Sequence, residues 1–146
     1  MYNVSYRIVR DQMLAEDIIQ EAFISAFKNL RNFKREVPFY AWLKKIVINK
    51  SFDEVRRNKT KYTELIDDNI AEENEEYEES NKEELITRLK NELYQLPDGY
   101  RIILSLYYLD GFDHEEISQI MQISASTSRS QLTRAKRVLL KRMTKE

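Results

Sequence analysis

The chain of 146 residues has no cysteine, one histidine, two glycines and two prolines. Without cysteine there is no disulfide framework and no thiolate metal site, a usage that fits a cytoplasmic protein. Both glycines fall outside phosphate-loop spacing, so no nucleotide cofactor or metal has residues to hold it. The lone histidine, His114, lies among acids in a short helical segment and reads as a solvated surface residue. No apolar run approaches the ~20 residues that span a bilayer, and the start carries no signal-peptide pattern. Carboxylates are plentiful, but their densest run, 11 of the 25, lies in residues 64–84 with no scaffold to shift pKa values toward acid–base work, so the chain is expected not to be an enzyme.

Scarcity of glycine and proline favours long helices over strands and turns. Hydrophobic residues make up 42% and charged residues 34%, enough to bury a core and leave much solvated surface. The net charge of −1 conceals a partition. Residues 1–63 hold 13 Lys/Arg against 7 Asp/Glu, residues 64–84 hold 1 against 11, and residues 85–146 hold 10 against 7. Two basic blocks flanking an acidic one predict two nucleic-acid-facing modules on a tether that avoids DNA. The expected fold is all-α: two small helical domains, residues 1–58 and 84–146, joined by a flexible acidic linker over 59–83.

The C-terminal stretch carries the sharpest signal. Residues 113–121 predict a short helix with Ile117, Ile120 and Met121 on one face. Ser124 then sits where an N-cap belongs, opening a longer helix to about residue 143 with Leu132, Ala135, Val138 and Leu139 inward. Its other faces carry Arg129, Arg134, Lys136, Arg137, Lys141 and Arg142, and no acid occurs between Glu116 and Glu146. Two helices across a tight turn, the second basic and rich in Ser, Thr, Arg and Gln, is the layout of a DNA-reading helix-turn-helix. An amphipathic helix merely solvated by its cations remains the plainer alternative.

Earlier in the chain, residues 2–9 predict a helix that starts without a capping residue, so the N-terminus is expected to be truncated. Residues 14–30 predict a helix with Ala15, Ile18, Ile19, Ala22, Phe23, Ala26, Phe27 and Leu30 in one wide apolar stripe. Asp17, Glu21 and Ile24, at i, i+4 and i+7, share the outward face with Gln20 and read as a site for a basic protein partner or as plain solvated surface. A polar loop over 31–38 precedes a helix over 39–57, with Phe39, Trp42, Leu43, Ile46 and Val47 as its apolar stripe. Aromatics interleaved with Lys and Arg suit single-stranded nucleic acid, where rings stack on bases and cations follow phosphates. Trp42 is expected in the core, and Phe33 and Phe39 as the candidates for a base. Residues 59–82 read as disordered tether. About 24 residues relax to roughly 25–30 Å and extend to about 80 Å, so a stretched tether reaches two DNA sites roughly 50 Å apart, about one and a half duplex turns. Residues 84–96, with Ile86, Leu89, Leu93 and Leu96 inward, and 100–109 complete a core under the helix-turn-helix, broken by Pro97-Asp98-Gly99.

Taken in order, Asp17-Ile-Ile-Gln20-Glu21-Ala-Phe23, Asn29-Leu30-Arg-Asn-Phe33, Phe39-Tyr-Ala-Trp42-Leu43-Lys-Lys-Ile46, Asn49 and Asp53-Glu-Val-Arg56-Arg57 resemble the second conserved region of bacterial sigma factors. Leu96-Pro97-Asp-Gly-Tyr100-Arg101, Tyr107-Tyr108-Leu109-Asp-Gly111, Glu115-Glu116-Ile117 and the run from Ser124 to Lys136 resemble the fourth. Regions two and four alone are the layout of the extracytoplasmic-function group. The resemblance implies a promoter-specificity subunit of RNA polymerase, cytoplasmic and nucleoid-associated when active. Asp17, Gln20, Glu21, Phe23 and Ile24 would dock on the polymerase core at its β′ clamp helices, with the β flap as a second contact. Phe33, Lys34, Phe39, Lys45, Asn49, Lys50, Arg56 and Arg57 would serve the minus-ten element. Thr127, Arg129, Ser130, Gln131, Thr133, Arg134 and Arg137 would serve the minus-thirty-five element. Promoter DNA is the implied ligand. Relatives often answer to an anti-sigma factor, though no residue here establishes one. The alternative is a stand-alone helix-turn-helix regulator that binds operator DNA without polymerase, and a third reading is a helical adaptor with no nucleic-acid role. Two departures from the family pattern stand out. Gln122 occupies a turn position where glycine is common, and Ser128 replaces the commoner valine, which implies a less buried site or a hydroxyl bonded back to the preceding turn.

Overall fold

The structure, a computed structural model, describes residues 1–59 and 82–145; residues 60–81 of the expected linker lie outside them, while its ends differ from expectation, Lys59 closing one helix and Lys82 and Glu83 opening the next. All regular elements among the described residues are helical, and the chain divides into two compact units.

In the first unit, α1 (Tyr2–Val9), α2 (Gln12–Lys28) and α3 (Phe39–Lys59) pack pairwise around a small core. α1 ends at Arg10 in the left-handed conformation, φ 56°, and α2 starts immediately because the Asp11 carboxylate accepts the Leu14 N–H at 2.9 Å. α1 and α3 approach closely through two fully buried serines. Ser51 Oγ donates to Val47 O at 2.7 Å and receives the Ser5 hydroxyl at 2.8 Å. Every polar atom in that contact is thereby satisfied.

The inward face of α2 is narrower than the apolar pattern predicts. Ala15, Ile18, Ala22 and Ala26 are buried, whereas Phe23, Phe27 and Leu30 are exposed. Alanines let the neighbouring helices approach so closely that larger groups flanking the contact are left outside. The same correction applies to α3, where Leu43, Val47, Ile48, Phe52 and Val55 form the buried face. Phe39 is exposed, and Trp42 and Ile46 sit half-buried at its edge.

The second unit contains α4 (Lys82–Gln95), α5 (Asp98–Leu104), a π turn (Ser105–Leu109), α6 (His114–Met121) and α7 (Ala125–Thr144). Residues 98–99, expected to break the chain, instead open α5 behind the cap residue Pro97. Gly99 faces Gln131 of α7, whose Nε2 would lie 3.9 Å from a Cβ at that position, an ordinary van der Waals contact. Ile102, Ile103, Leu104, Leu106 and Leu96 are the heart of this core. Arg101 is also fully buried, with its guanidinium 2.7 Å from an Asp98 carboxylate oxygen and donating to Leu96 O at 3.2 Å. α4 corrects another expectation: Leu96, just past its end, is buried and Leu93 half-buried, but Leu85, Ile86 and Leu89 are exposed. α4 is held at its far end instead, where Arg142 of α7 reaches Glu92 at 3.4 Å and Arg88 donates to Lys145 O at 2.5 Å.

Candidate nucleic-acid interface

α6 and α7 form the expected helix-turn-helix, and its corners are defined by caps. Asp113 accepts the Glu116 N–H at 2.8 Å to start α6. Gln122 ends it at φ 55° and ψ 46°, the left-handed conformation that its place in the turn implied. The Ser124 hydroxyl accepts the Thr127 N–H at 3.0 Å and donates to Thr127 Oγ1 at 2.8 Å, fixing the first turn of α7. Ile117, Ile120 and Met121 meet Leu132 and Ala135 in the core, with Met143 buried further along α7. Val138 and Leu139, expected inside, are half-buried.

The outer face of α7 brings together Thr127, Arg129, Ser130, Thr133, Arg134 and Arg137, all exposed, with Lys136 beside them. Ser130 and Thr133 donate to Ser126 O and Arg129 O, both at 3.1 Å. Their donors are occupied along the helix, so toward solvent each hydroxyl offers acceptor lone pairs. Lys136 Nζ stands 5.9 Å from the centre of the exposed Tyr108 ring, which holds a cation at the flank of the helix. Gln131 is the residue the structure does not place with this set. It is half-buried toward Gly99, and its Oε1 is buried with no partner.

Two expectations about single residues are overturned at this corner. Ser128 is fully buried and does not bond back to the preceding turn; its Oγ shares a 2.9 Å hydrogen bond with His114 Nδ1. His114, expected as a surface residue, is half-buried and stacked on Tyr107, ring centres 5.0 Å apart and planes 26° from parallel. Neither relation is visible in the sequence, because the partners meet only once the helices have packed.

In the first unit the loop after α2 is clamped to α3 by three aromatic rings. Phe33 lies 5.1 Å from Trp42 and 5.7 Å from Phe39, edge to face with the latter, and Phe39 lies 5.7 Å from Trp42. Such pairs add about 0.5–1.5 kcal/mol each beyond burial. The loop is therefore fastened at Phe33 while Lys34 and Arg35 remain exposed, Arg35 in the left-handed region at φ 57°. Along α3, helical spacing places Trp42, Lys45, Asn49 and Arg56 on one strip and Phe39, Lys50 and Arg57 on another. Arg56 is partly engaged, paired with Asp53 and lying over the Phe52 ring at 5.2 Å. Arg57 pairs with Glu54 at 3.0 Å. Lys34, Lys45 and Asn49 are exposed and Lys50 is half-buried.

The outward face of α2 has a different chemistry. Asp17, Gln20, Glu21 and Ile24 are exposed as the spacing predicts, with Phe23 at the margin. Met13 and Phe27, at 77% and 68% exposure, extend the strip and were not anticipated; the former lies ahead of the predicted helix and the latter was assigned to the core. An acidic strip bordered by bare aliphatic and aromatic groups repels phosphate and offers apolar area to a partner of the opposite charge. No helix among the described residues is long and apolar enough to cross a membrane.

Comparison with known proteins covers both units. Residues 1–61 match the family model Sigma-70 region 2, and residues 86–139 match Sigma-70, region 4. The ECF RNA polymerase sigma factor SigM of Bacillus subtilis is 32% identical over 141 residues, covering 95% of this chain and 85% of that protein. SigW of the same organism is 28% identical over 158 residues, covering 98% and 82%. The sigma-E factor of Escherichia coli K12 is 34% identical over 136 residues, covering 84% and 70%. The sigma factor RpoE of Bartonella quintana, solved with the anti-sigma factor NepR, shares the fold at a TM-score of 0.64 and 19% identity, over 97% of this chain and 88% of that one. A helical chain that matches sigma regions 2 and 4 has the domain layout of a promoter-specificity subunit of RNA polymerase. The chain belongs to the extracytoplasmic-function group of RNA polymerase sigma factors. The stand-alone regulator is set aside by this membership.

Proposed function

We propose that the three faces divide the work of promoter recognition. The strip of Asp17, Gln20, Glu21, Phe23 and Ile24, widened by Met13 and Phe27, docks on the core polymerase at the β′ clamp helices, and the second unit takes the β flap. The ring-clamped loop with Phe33, Lys34 and Phe39, and the α3 residues Lys45, Asn49, Lys50, Arg56 and Arg57, handle the minus-ten element. α7 enters the major groove at the minus-thirty-five element. There Arg129 and Arg134 address base edges, Ser130 and Thr133 supply acceptors, Thr127 keeps its O–H to donate, and Arg137 and Lys136 hold phosphates. Gln131 supports the helix from its inner edge. The polymerase performs the chemistry, so this chain is a cytoplasmic recognition subunit rather than an enzyme and uses no cofactor. Any anti-sigma factor acting on it would have to cover these same faces.

The observation that carries the reading is the contrast between two helices of one chain: α7 exposes Arg129, Arg134, Lys136 and Arg137 with no acid along its length, while α2 exposes Asp17 and Glu21 beside apolar groups. Run-off transcription with purified core polymerase tests it, comparing the natural chain with Asp17→Arg/Glu21→Arg. The charge-reversed chain is expected to lose promoter-dependent transcript while keeping its helical content. Undiminished transcript from that variant would contradict the docking assignment.

A further inference from the structure

We infer that His114 and Ser128 form a positioning pair that sets the rotation of the reading helix, an inference that rests on α7 being that helix. Most of the packing between α6 and α7 is aliphatic, through Ile117, Ile120, Met121, Leu132 and Ala135. Such contacts are non-directional and tolerate small rotations about the helix axis. A hydrogen bond tolerates much less, because its donor–acceptor distance is confined to about 2.7–3.2 Å and it weakens steeply off line. The 2.9 Å bond from Ser128 Oγ to His114 Nδ1 supplies that directional restraint where helix orientation matters most. Ser128 is fully buried, its own N–H bonds to Ser124 O at 2.9 Å in the first turn, and Arg129 follows it directly.

The histidine ring is itself fixed from a third element. Its face lies on Tyr107 of the π turn, so the ring cannot swing away without giving up the stack. The α6 start, the π turn and the base-reading end of α7 thus meet at one imidazole. Ser128 touches no base in this arrangement; it acts through Arg129, Ser130, Thr133 and Arg134, whose directions follow the rotation of the helix. Bidentate contact to a base edge is worth roughly 5–150-fold in discrimination and depends on the approach angle. Loosening the restraint is expected to lower discrimination by about 3–10-fold, a part of that range.

The test uses the full chain with core polymerase. A duplex library randomised over the upstream element is offered to the natural holoenzyme. The most abundantly transcribed sequence and its single-base variants then become the probes. Ser128→Ala removes the hydroxyl, and His114→Phe keeps the ring and the Tyr107 stack but removes the nitrogen. His114→Asn carries a hydrogen-bonding group at the position of Nδ1 and is the conservative rescue. Arg129→Ala reports whether α7 reads bases at all. Ser128→Ala and His114→Phe are expected to flatten the preference among the probes, with the two effects non-additive when combined, and His114→Asn to retain it. Melting temperatures identify any variant that fails to fold, in which case the other member of the pair decides the matter. Unchanged preference in Ser128→Ala and His114→Phe, alongside a flattened one in Arg129→Ala, would overturn the positioning role alone. An unchanged preference in Arg129→Ala would remove the reading on which it rests, and the pair with it.

Discussion

At Gln122 the chain passes from α6 to α7 with φ 55°, and both its N–H and that of Ile123 return to Ser118 O. The turn needs this conformation to close, since the paired bonds cap the last turn of α6. For a residue with a Cβ the conformation costs roughly 1–2 kcal/mol. Gln122 is exposed, so no packing depends on its side chain. Gln122→Gly is therefore expected to stabilise the second unit. Greater freedom of glycine in the unfolded chain offsets about 0.4–1 kcal/mol of the gain, leaving roughly 0.5–1 kcal/mol. Thermal denaturation of the second unit should rise by about 2–8 °C. A fall in the midpoint would show that the glutamine makes a contact worth more than the strain. The position was recognisable in the sequence by its place between two apolar-periodic segments. Ser128 was recognisable only as an anomaly, because its partner is 14 residues away and on another helix.

At the scale of elements, caps and periodicity locate helices better than they locate burial. Asp113 and Ser124 mark the starts of α6 and α7 by their residue type alone, and the structure has both side chains accepting the N–H three residues on. An apolar stripe, however, says that a face avoids water and not what covers it. Phe27 of α2 continues a stripe that is buried only at Ala15, Ile18, Ala22 and Ala26, and Leu89 of α4 one that is buried only at Leu96, so both lie outside the packed region of their own units. The π turn left no mark either, since Ser105–Leu109 continues the apolar run of α5 without a change of composition. The exposed groups of α2 carry a prediction of their own. Ile24→Ser and Phe27→Ser remove apolar area that is more than half exposed, 54% and 68% respectively, so they should leave the stability of the free chain within about 0.5 kcal/mol of its natural value. At the same time they should weaken binding to core polymerase, by about 1–3 kcal/mol if each group fills a pocket on the partner. Titration of labelled core polymerase with each variant separates the two effects. A variant that loses stability but not affinity would place the side chain in the fold rather than the interface.

For the whole molecule, the distribution of charge decides how binding responds to salt. A chain of net charge −1 has no general attraction for DNA, so its affinity must come from local concentration of cations. Residues 124–145 hold seven basic residues and no acid, and the densest block of acids, 11 of the 25, lies in residues 64–84. Each phosphate neutralised by a cation releases condensed counterions, which lowers the slope of log affinity against log salt by about 0.9. Arg137 is exposed on the outer face of α7, about two turns beyond Arg129 and about one beyond Arg134. Arg137→Ala is therefore expected to weaken holoenzyme binding on every upstream sequence alike and to make that slope shallower by about 0.9. Arg129→Ala should instead cost about 1–3 kcal/mol at one base pair and little at others. Polymerase adds its own phosphate contacts, but these are common to all the holoenzymes and cancel when slopes are subtracted. Filter binding or fluorescence anisotropy over a range of potassium chloride concentrations measures both quantities. If Arg137→Ala left the slope unchanged while altering base preference, the two arginines would have to exchange roles.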